Sequence, residues 1–237
     1  MNIIESRLTT LACGMRVLCR RTDSSVAIFG VAIDAGSRDE PPHLHGLAHF
    51  VEHTIFKGTS HRRAGHILNR METVGGELNA FTSKEETNVY SVFPARHLPR
   101  AAELIADLLR NSIFPANELR KEREVVREEI DSYLDSPADA VFDDFENLLF
   151  AGSQLGHNIL GDSSSLEAFT PEVCRAYISD SFTPARMVAF YQGPENPEKV
   201  IRLAERFFGD LPHSQATPVR IAPEPVPTFA VTDTGAG

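Results

Sequence analysis

The sequence is poor in cysteine, in basic charge and in long apolar runs, and each shortage removes a class of protein. Cys13, Cys19 and Cys174 are odd in number and show no paired spacing. A disulfide framework is therefore not expected, and a reducing cytoplasm fits. Lys and Arg total 23 against 33 Asp and Glu, a net charge of −10. That sign argues against nucleic acid or an anionic membrane as the main partner. No segment approaches the uninterrupted apolar length of a membrane span. The opening stretch MNIIESRLTTLACGMRVLCRR has no continuous apolar centre and carries Glu5, so no secretory leader is expected in it. No internal repeat at solenoid spacing is present.

What remains is a globular composition, 42% hydrophobic and 24% charged over 237 residues, enough for one large domain or two small ones. VAIFGVAIDA, Val26 to Ala35, reads as a buried strand. A helix is expected from Gly46 to Lys57, ended by Gly58, and a second from Ala64 to Val74, stopped by Gly75 and Gly76. Glu77–Thr82 and Thr87–Phe93 read as strands around the polar connector SKEE. Helices follow at Leu98–Ser112, Ala116–Leu134 and Ala138–Phe150. Thr170 suits an N-cap, with Pro171 at the first helical position of a helix to Ser179. Met187–Gln192 reads as a strand and Pro197–Phe208 as a helix. Interspersed strands and helices give α+β or α/β. Beyond Leu211 the chain turns Pro-rich and polar. Residues 1–211 are thus expected to form the folded domain and 212–237 a linker or arm.

GLAHFVEHTIFKGT, Gly46 to Thr59, places His49, Glu52 and His53 within five residues. At roughly 100° per residue from Leu47, Glu52, His49 and His53 fall at about 140°, 200° and 240° on a helix. Phe50, Leu47, Val51, Ile55 and Ala48 cover the rest of the circumference. Two imidazoles one turn apart can converge on a cation such as zinc, and the carboxylate between them is free to deprotonate a water. Two exposed histidines and an exposed glutamate would produce the same short pattern. A third protein ligand is needed to complete a catalytic zinc site.

The acidic helix ELRKEREVVREEIDSYL, Glu118 to Leu134, is the place to look for it. Measured from Leu119, Val126, Ile130 and Tyr133 lie within about 40° of it, and Glu122 and Glu129 fall at about 300° and 280°, inside the apolar arc. Glu124 and Glu128 fall on the far side, at about 140° and 180°. A carboxylate on a core-facing stripe needs a cation or donor to meet it. A metal would serve, and so would a core arginine such as Arg186.

HFVEH is the inverted zinc motif, and the motifs around it resemble the insulinase/pitrilysin family of metallopeptidases, in the branch of the mitochondrial processing peptidase β subunit and its bacterial relatives. The matching stretches are AGSRDEP, GLAHFVEHTIFKGT, VGGELNAFTSKEETNVY, KEREVVREEIDSYLDSP and LGHNILGD, in family order. The resemblance implies an α+β domain with a mixed, largely antiparallel sheet flanked by helices. It implies peptide-bond hydrolysis with one Zn2+ per chain, held by His49, His53 and Glu129. It makes Glu52 the general base and Glu122 a supporting glutamate beside the site. It also implies that Gly75 to Thr82 is an edge strand on which an extended peptide adds as a further strand. The substrate-binding residues would be Gly76, Asn79, Ala80, Phe81 and Thr82, with Asn79 and Ala80 as the main contacts. An ordinary internal strand after a Gly-Gly turn is the competing reading of that stretch.

Family members join two such domains or pair two chains, and the second half often brings an Arg and a Tyr to the substrate. This sequence matches only the metal-bearing half, with no counterpart of that pair. The implied partners are a peptide substrate and a second homologous domain or chain, as a homodimer or heterodimer. Weak or absent peptidase activity is expected without that partner. Two alternatives stand beside this reading. One is a non-catalytic subunit that binds a peptide or partner. The other is a lyase resembling S-ribosylhomocysteine lyase, with iron and a cysteine ligand, for which Cys174 would be the candidate. His43 and His45 read as exposed loop residues, and His61, His66, His97, His157 and His213 join no constellation.

Overall fold

Alternation of apolar and polar residues builds the centre of the protein. The computed structural model describes residues 2–214 and 219–224. The rest of the expected arm, 215–218 and 225–237, lies outside the described residues. Six strands form one sheet: β1 (Ile3–Thr10), β2 (Arg16–Thr22), β3 (Val26–Ile33), β4 (Glu77–Thr82), β5 (Thr87–Pro94) and β6 (Met187–Gly193), in the order β1-β2-β6-β3-β5-β4. Only β2 and β6 run parallel; every other neighbouring pair is antiparallel. The expected class, a mixed and largely antiparallel α+β domain, is the one observed.

One face of the sheet is the core. Val17 and Cys19 of β2, Ala27, Phe29, Val31 and Ile33 of β3, Val89 and Phe93 of β5, and Ala189 and Tyr191 of β6 are all buried. This is the period-2 pattern of a half-buried strand. Against it pack α3 (Leu98–Asn111), which buries Leu98, Ala101, Leu104, Ile105 and Leu108, and α7 (Pro197–Phe208), which buries Val200, Ala204 and Phe208. Each of the larger apolar side chains contributes about 1.5–3 kcal/mol by leaving water. The remaining helices are α1 (Leu47–Thr54), α2 (Ala64–Glu72), α4 (Ala116–Leu134), α5 (Pro137–Leu149) and α6 (Pro171–Ser181). Thr170 caps α6 as expected, its side chain accepting from the Val173 N–H.

Three differences from the sequence reading have physical causes. β1 and β2 were not anticipated, because charged residues interrupt their pattern and β1 is exposed along most of its length. The expected helix from Gly46 to Lys57 stops at Thr54 and finishes as a single 3-10 turn, Ile55–Lys57, before Gly58 takes φ 154°. Finally, the described part of the 212–237 stretch is tied to the domain. Arg220 reaches Asp34 at 2.6 Å and Asp39 at 2.7 Å, and Arg38 donates to the Ile221 carbonyl.

Candidate metal centre

Helix α1 carries the site because its other faces are anchored. Leu47, Ala48, Phe50 and Val51 are buried, and the Phe50 ring meets Phe169 at 5.2 Å between centroids. That leaves His49, Glu52 and His53 on the face turned toward α4 and β4. His49 Nε2 and His53 Nε2 lie 3.2 Å apart. From α4, Glu129 brings Oε1 to 3.7 Å from His49 Nε2 and Oε2 to 3.4 Å from His53 Nε2. Ligand atoms around a tetrahedral zinc, with bonds near 2.0–2.2 Å, are separated by about 3.3 Å. The spacing and the N/O donor set therefore fit a zinc ion. Among the described residues these three are the one group whose ligand atoms lie within 4.8 Å of one another.

The surroundings prepare the donors. His53 Nδ1 sits 3.2 Å from Glu122 Oε1. A carboxylate acceptor there places the proton of the neutral ring on Nδ1 and leaves Nε2 bare toward its neighbours. The other Glu122 oxygen receives Lys57 Nζ at 2.7 Å. Burial and the neighbouring His53 ring push His49 down to about 4, so its ring is neutral at pH 7 with a lone pair available. Burial raises Glu52 above the usual carboxylate range, opposed by Thr82 and His53 and reinforced by Glu129. A carboxyl so perturbed beside three candidate metal ligands suits proton transfer.

The two glutamates of the α4 stripe part company here. Glu122 is buried, as the helical arc requires. Glu129 is not: its side chain remains 43% exposed, because it reaches over the rim toward the rings. The cation that meets Glu122 is Lys57 rather than Arg186, which binds the Asp34 carbonyl and Asp39. Lys57 escaped the sequence reading although it stands four residues after His53, a spacing that keeps the same face. Val125, Glu124 and Glu128 are exposed.

β4 is an edge strand, paired on one side only, with β5. Asn79 and Phe81 share the face that pairs with Tyr90 and Asn88, Phe81 being exposed, while Ala80 and Leu78 turn toward the core. Thr82 ends the strand beside Glu52. Gly76 is buried, close to Phe93 and Met71. Cys174 is fully buried on α6, its thiol pushed up to about 12 by burial, and it is not part of the metal group. His45 departs from its expected exposed loop position: it is half-buried and stacked on His157.

An HxxEH helix facing a glutamate from a second helix is the constellation of the inverted zinc metallohydrolases. A family-wide sequence profile described as insulinase (peptidase family M16) matches residues 16–163, and one described as the M16 inactive domain matches residues 168–234. This chain belongs to peptidase family M16. It is 40% identical over 198 residues to an uncharacterised zinc protease, YmxG, of Bacillus subtilis, covering 83% of this chain and 48% of that protein. It is 35% identical over 214 residues to the mitochondrial-processing peptidase subunit beta of Dictyostelium discoideum, covering 90% of this chain and 46% of that one. The chain thus spans about half the length of these relatives. Its fold matches a protease from Helicobacter pylori with a TM-score of 0.85 at 24% identity, over 94% of this chain and 54% of that one. The periplasmic protease PqqL from Escherichia coli has the same fold, with a TM-score of 0.84 at 22% identity, over 94% of this chain and 26% of that one. No helix among the described residues is long and apolar enough to cross a membrane.

Proposed function

We propose that this chain is the metal-bearing domain of a zinc endopeptidase that hydrolyses peptide bonds in extended polypeptides. The observation that carries this reading is the meeting of two α1 imidazoles and the α4 carboxylate, with separations of 3.2, 3.4 and 3.7 Å. One ion per chain is held by His49, His53 and Glu129 and supplies Lewis acidity. Glu52 accepts the proton of the attacking water and delivers it to the leaving amine. Glu122 orients His53 through Nδ1, and Lys57 balances its charge. An extended substrate adds along β4 by main-chain hydrogen bonds, at Asn79 and Ala80, with Gly76, Phe81 and Thr82 flanking.

The site is open on one side: the Glu129 side chain is 43% exposed and that of His53 22%. Electrostatic catalysis gains from excluding water, and the relatives are about twice as long. Full activity in this reading needs a second homologous domain or chain to close over β4, whether as a homodimer or a heterodimer. Residues 1–211 form the metal-bearing unit and 212–237 lead toward that second half. Three buried free cysteines suit a cytoplasmic setting.

The experiment measures zinc per chain and turnover of an internally quenched extended peptide, with and without a homologous partner chain. Wild type should bind one zinc and turn over with the partner. Glu52→Gln should keep the zinc and lose roughly 10²–10⁴-fold in hydrolysis. Equal turnover by the variant would remove Glu52 as base. Zinc and peptide binding without turnover under any pairing would favour a non-catalytic subunit.

A further inference from the structure

Helix α1 begins without a cap of its own. Its N-cap is Gly46 at φ 94°, which has no side chain to accept a first-turn amide. Gly46 and Ala48 are buried, so water does not satisfy their N–H groups. The acceptor comes from a loop before the helix. Glu40 is completely buried, and its carboxylate takes the Gly46 N–H at 2.9 Å and the Ala48 N–H at 2.5 Å. Burial raises the Glu40 carboxyl above its usual range, and His157 and the Ala48 and Gly46 amides oppose that shift. The residue that follows Ala48 is His49.

Glu40 is itself braced. His157 Nε2 lies 3.6 Å from Glu40 Oε2 and 3.1 Å from the Ser37 carbonyl oxygen. The His157 ring stacks on His45, 3.7 Å between centroids and 4° between planes. His45 directly precedes Gly46. The loop that carries His157 then crosses the start of α1 backbone to backbone. A Cβ on Gly161 would stand 2.2 Å from the His45 carbonyl oxygen, and one on Gly46 would stand 2.5 Å from the Leu160 carbonyl oxygen. The Ser165 hydroxyl donates to the same His45 carbonyl at 2.8 Å, and Gln154 donates to the Glu40 carbonyl at 3.0 Å. Two loops more than a hundred residues apart in sequence therefore meet over the first turn of the helix, and neither supplies a ligand.

We infer that Glu40, held by His157 and the stacked His45, is a positioning residue for the metal centre: it sets the axial position of α1 so that the His49 and His53 nitrogens converge. This rests on the proposed reading of the cluster as a metal site. Glu40→Gln keeps the volume but turns an amide N–H toward a backbone N–H, so one first-turn donor loses its acceptor. His157→Phe keeps the ring stack and removes the brace.

The test loads the full chain with cobalt(II), whose visible absorption reports ligand geometry, and measures zinc affinity by competition with a chelator. Thermal melting of the metal-free protein shows that each variant is folded at the assay temperature. Glu40→Gln and His157→Phe should lower zinc affinity roughly 10–100-fold, the usual loss for a supporting partner of a metal ligand, and should change the cobalt spectrum. Asp107→Asn, which weakens a remote ion-pair cluster, should lower the melting temperature and leave the spectrum alone. Wild-type affinity and spectrum in folded Glu40→Gln would overturn the inference. If Glu40→Gln does not fold, His157→Phe decides, together with hydrogen exchange of the Ala48 and His49 amides in the metal-free chain. Faster exchange there than in α3 supports the inference, and unchanged exchange overturns it. A wild-type chain that gives no cobalt spectrum would instead sink the metal-site reading, and this inference with it.

Discussion

The polar clusters around Asp107 and around His49, His53 and Glu129 are built on opposite plans. Asp107, on α3, is 4% exposed and ringed by donors: Thr59 Oγ1 at 2.8 Å, Arg62 at 2.5 Å, Asn111 at 3.0 Å and His61 Nδ1 at 2.6 Å. Burial pushes its carboxyl up, but the bonds from His61, Thr59, Arg62 and Asn111 outweigh it and hold the group below the usual range. Nothing is left to satisfy. The group at His49, His53 and Glu129 turns acceptor atoms toward one another, and among the described residues Glu129 pairs with no lysine or arginine. A closed network stabilises a fold, and an open one asks for a cation. Counting unpaired lone pairs separates the two more sharply than counting charges.

The contrast can be broken at either end, and the largest effect is expected at the closed cluster. Asp107→Ala leaves Arg62 and the His61 loop uncompensated and should cost about 3–5 kcal/mol in chemical denaturation. The zinc affinity of the folded protein should be unchanged, and a matching loss of zinc would merge the two clusters into one. At the open cluster, Glu129→Ala should lower zinc affinity at least about a hundredfold, since each ligand carries a sizeable share of a roughly 10–16 kcal/mol interaction. Glu128→Ala, one residue away and exposed, should change it little. Equal losses in the two variants would contradict the convergence of α1 and α4.

Acid should tell the clusters apart as well. In the metal-free protein His49 is held near 4, below its ordinary 6.5. The unfolded chain therefore binds more protons between those values, and stability falls as pH drops from about 6.5 to about 4, by about 3 kcal/mol. His49→Gln should flatten that limb in denaturation curves recorded with EDTA. Asp107, with its depressed carboxyl, gives up its stabilisation only at lower pH, below the 3.8 of an unperturbed aspartate. The smallest effect is expected from Lys57→Met, which removes one partner of Glu122. Zinc affinity should fall by about tenfold or less, and a loss as large as that of Glu129→Ala would make Lys57 more than a counter-ion.

Much of this site is local and was therefore readable. The three polar positions of α1 follow from helical spacing alone, and the arc of α4 separates Glu122 and Glu129 from Glu124 and Glu128. The same arc overstates the burial of Glu129, because a wheel records direction and not distance from the rim. Glu40 and His157 left no periodic trace. Each sits in a loop, and each gains its meaning from a segment far along the chain. β1 was illegible for a related reason: a strand exposed along most of its length has no apolar alternation to display. The core strands β3 and β6, sealed by α3 and α7, display it plainly.

The free rim of β4 has a consequence for the protein in bulk solution. A row of unpaired main-chain groups does not distinguish a substrate from any other extended polypeptide, including a second copy of itself. The opposite rim, β1, interleaves Glu5 and Arg7 among its residues, whereas β4 carries one charge, Glu77 at its start, and then offers Asn79 and the exposed Phe81. If β4 receives substrate as proposed, copies that pair through β4 would block that ledge, and dilution would free it.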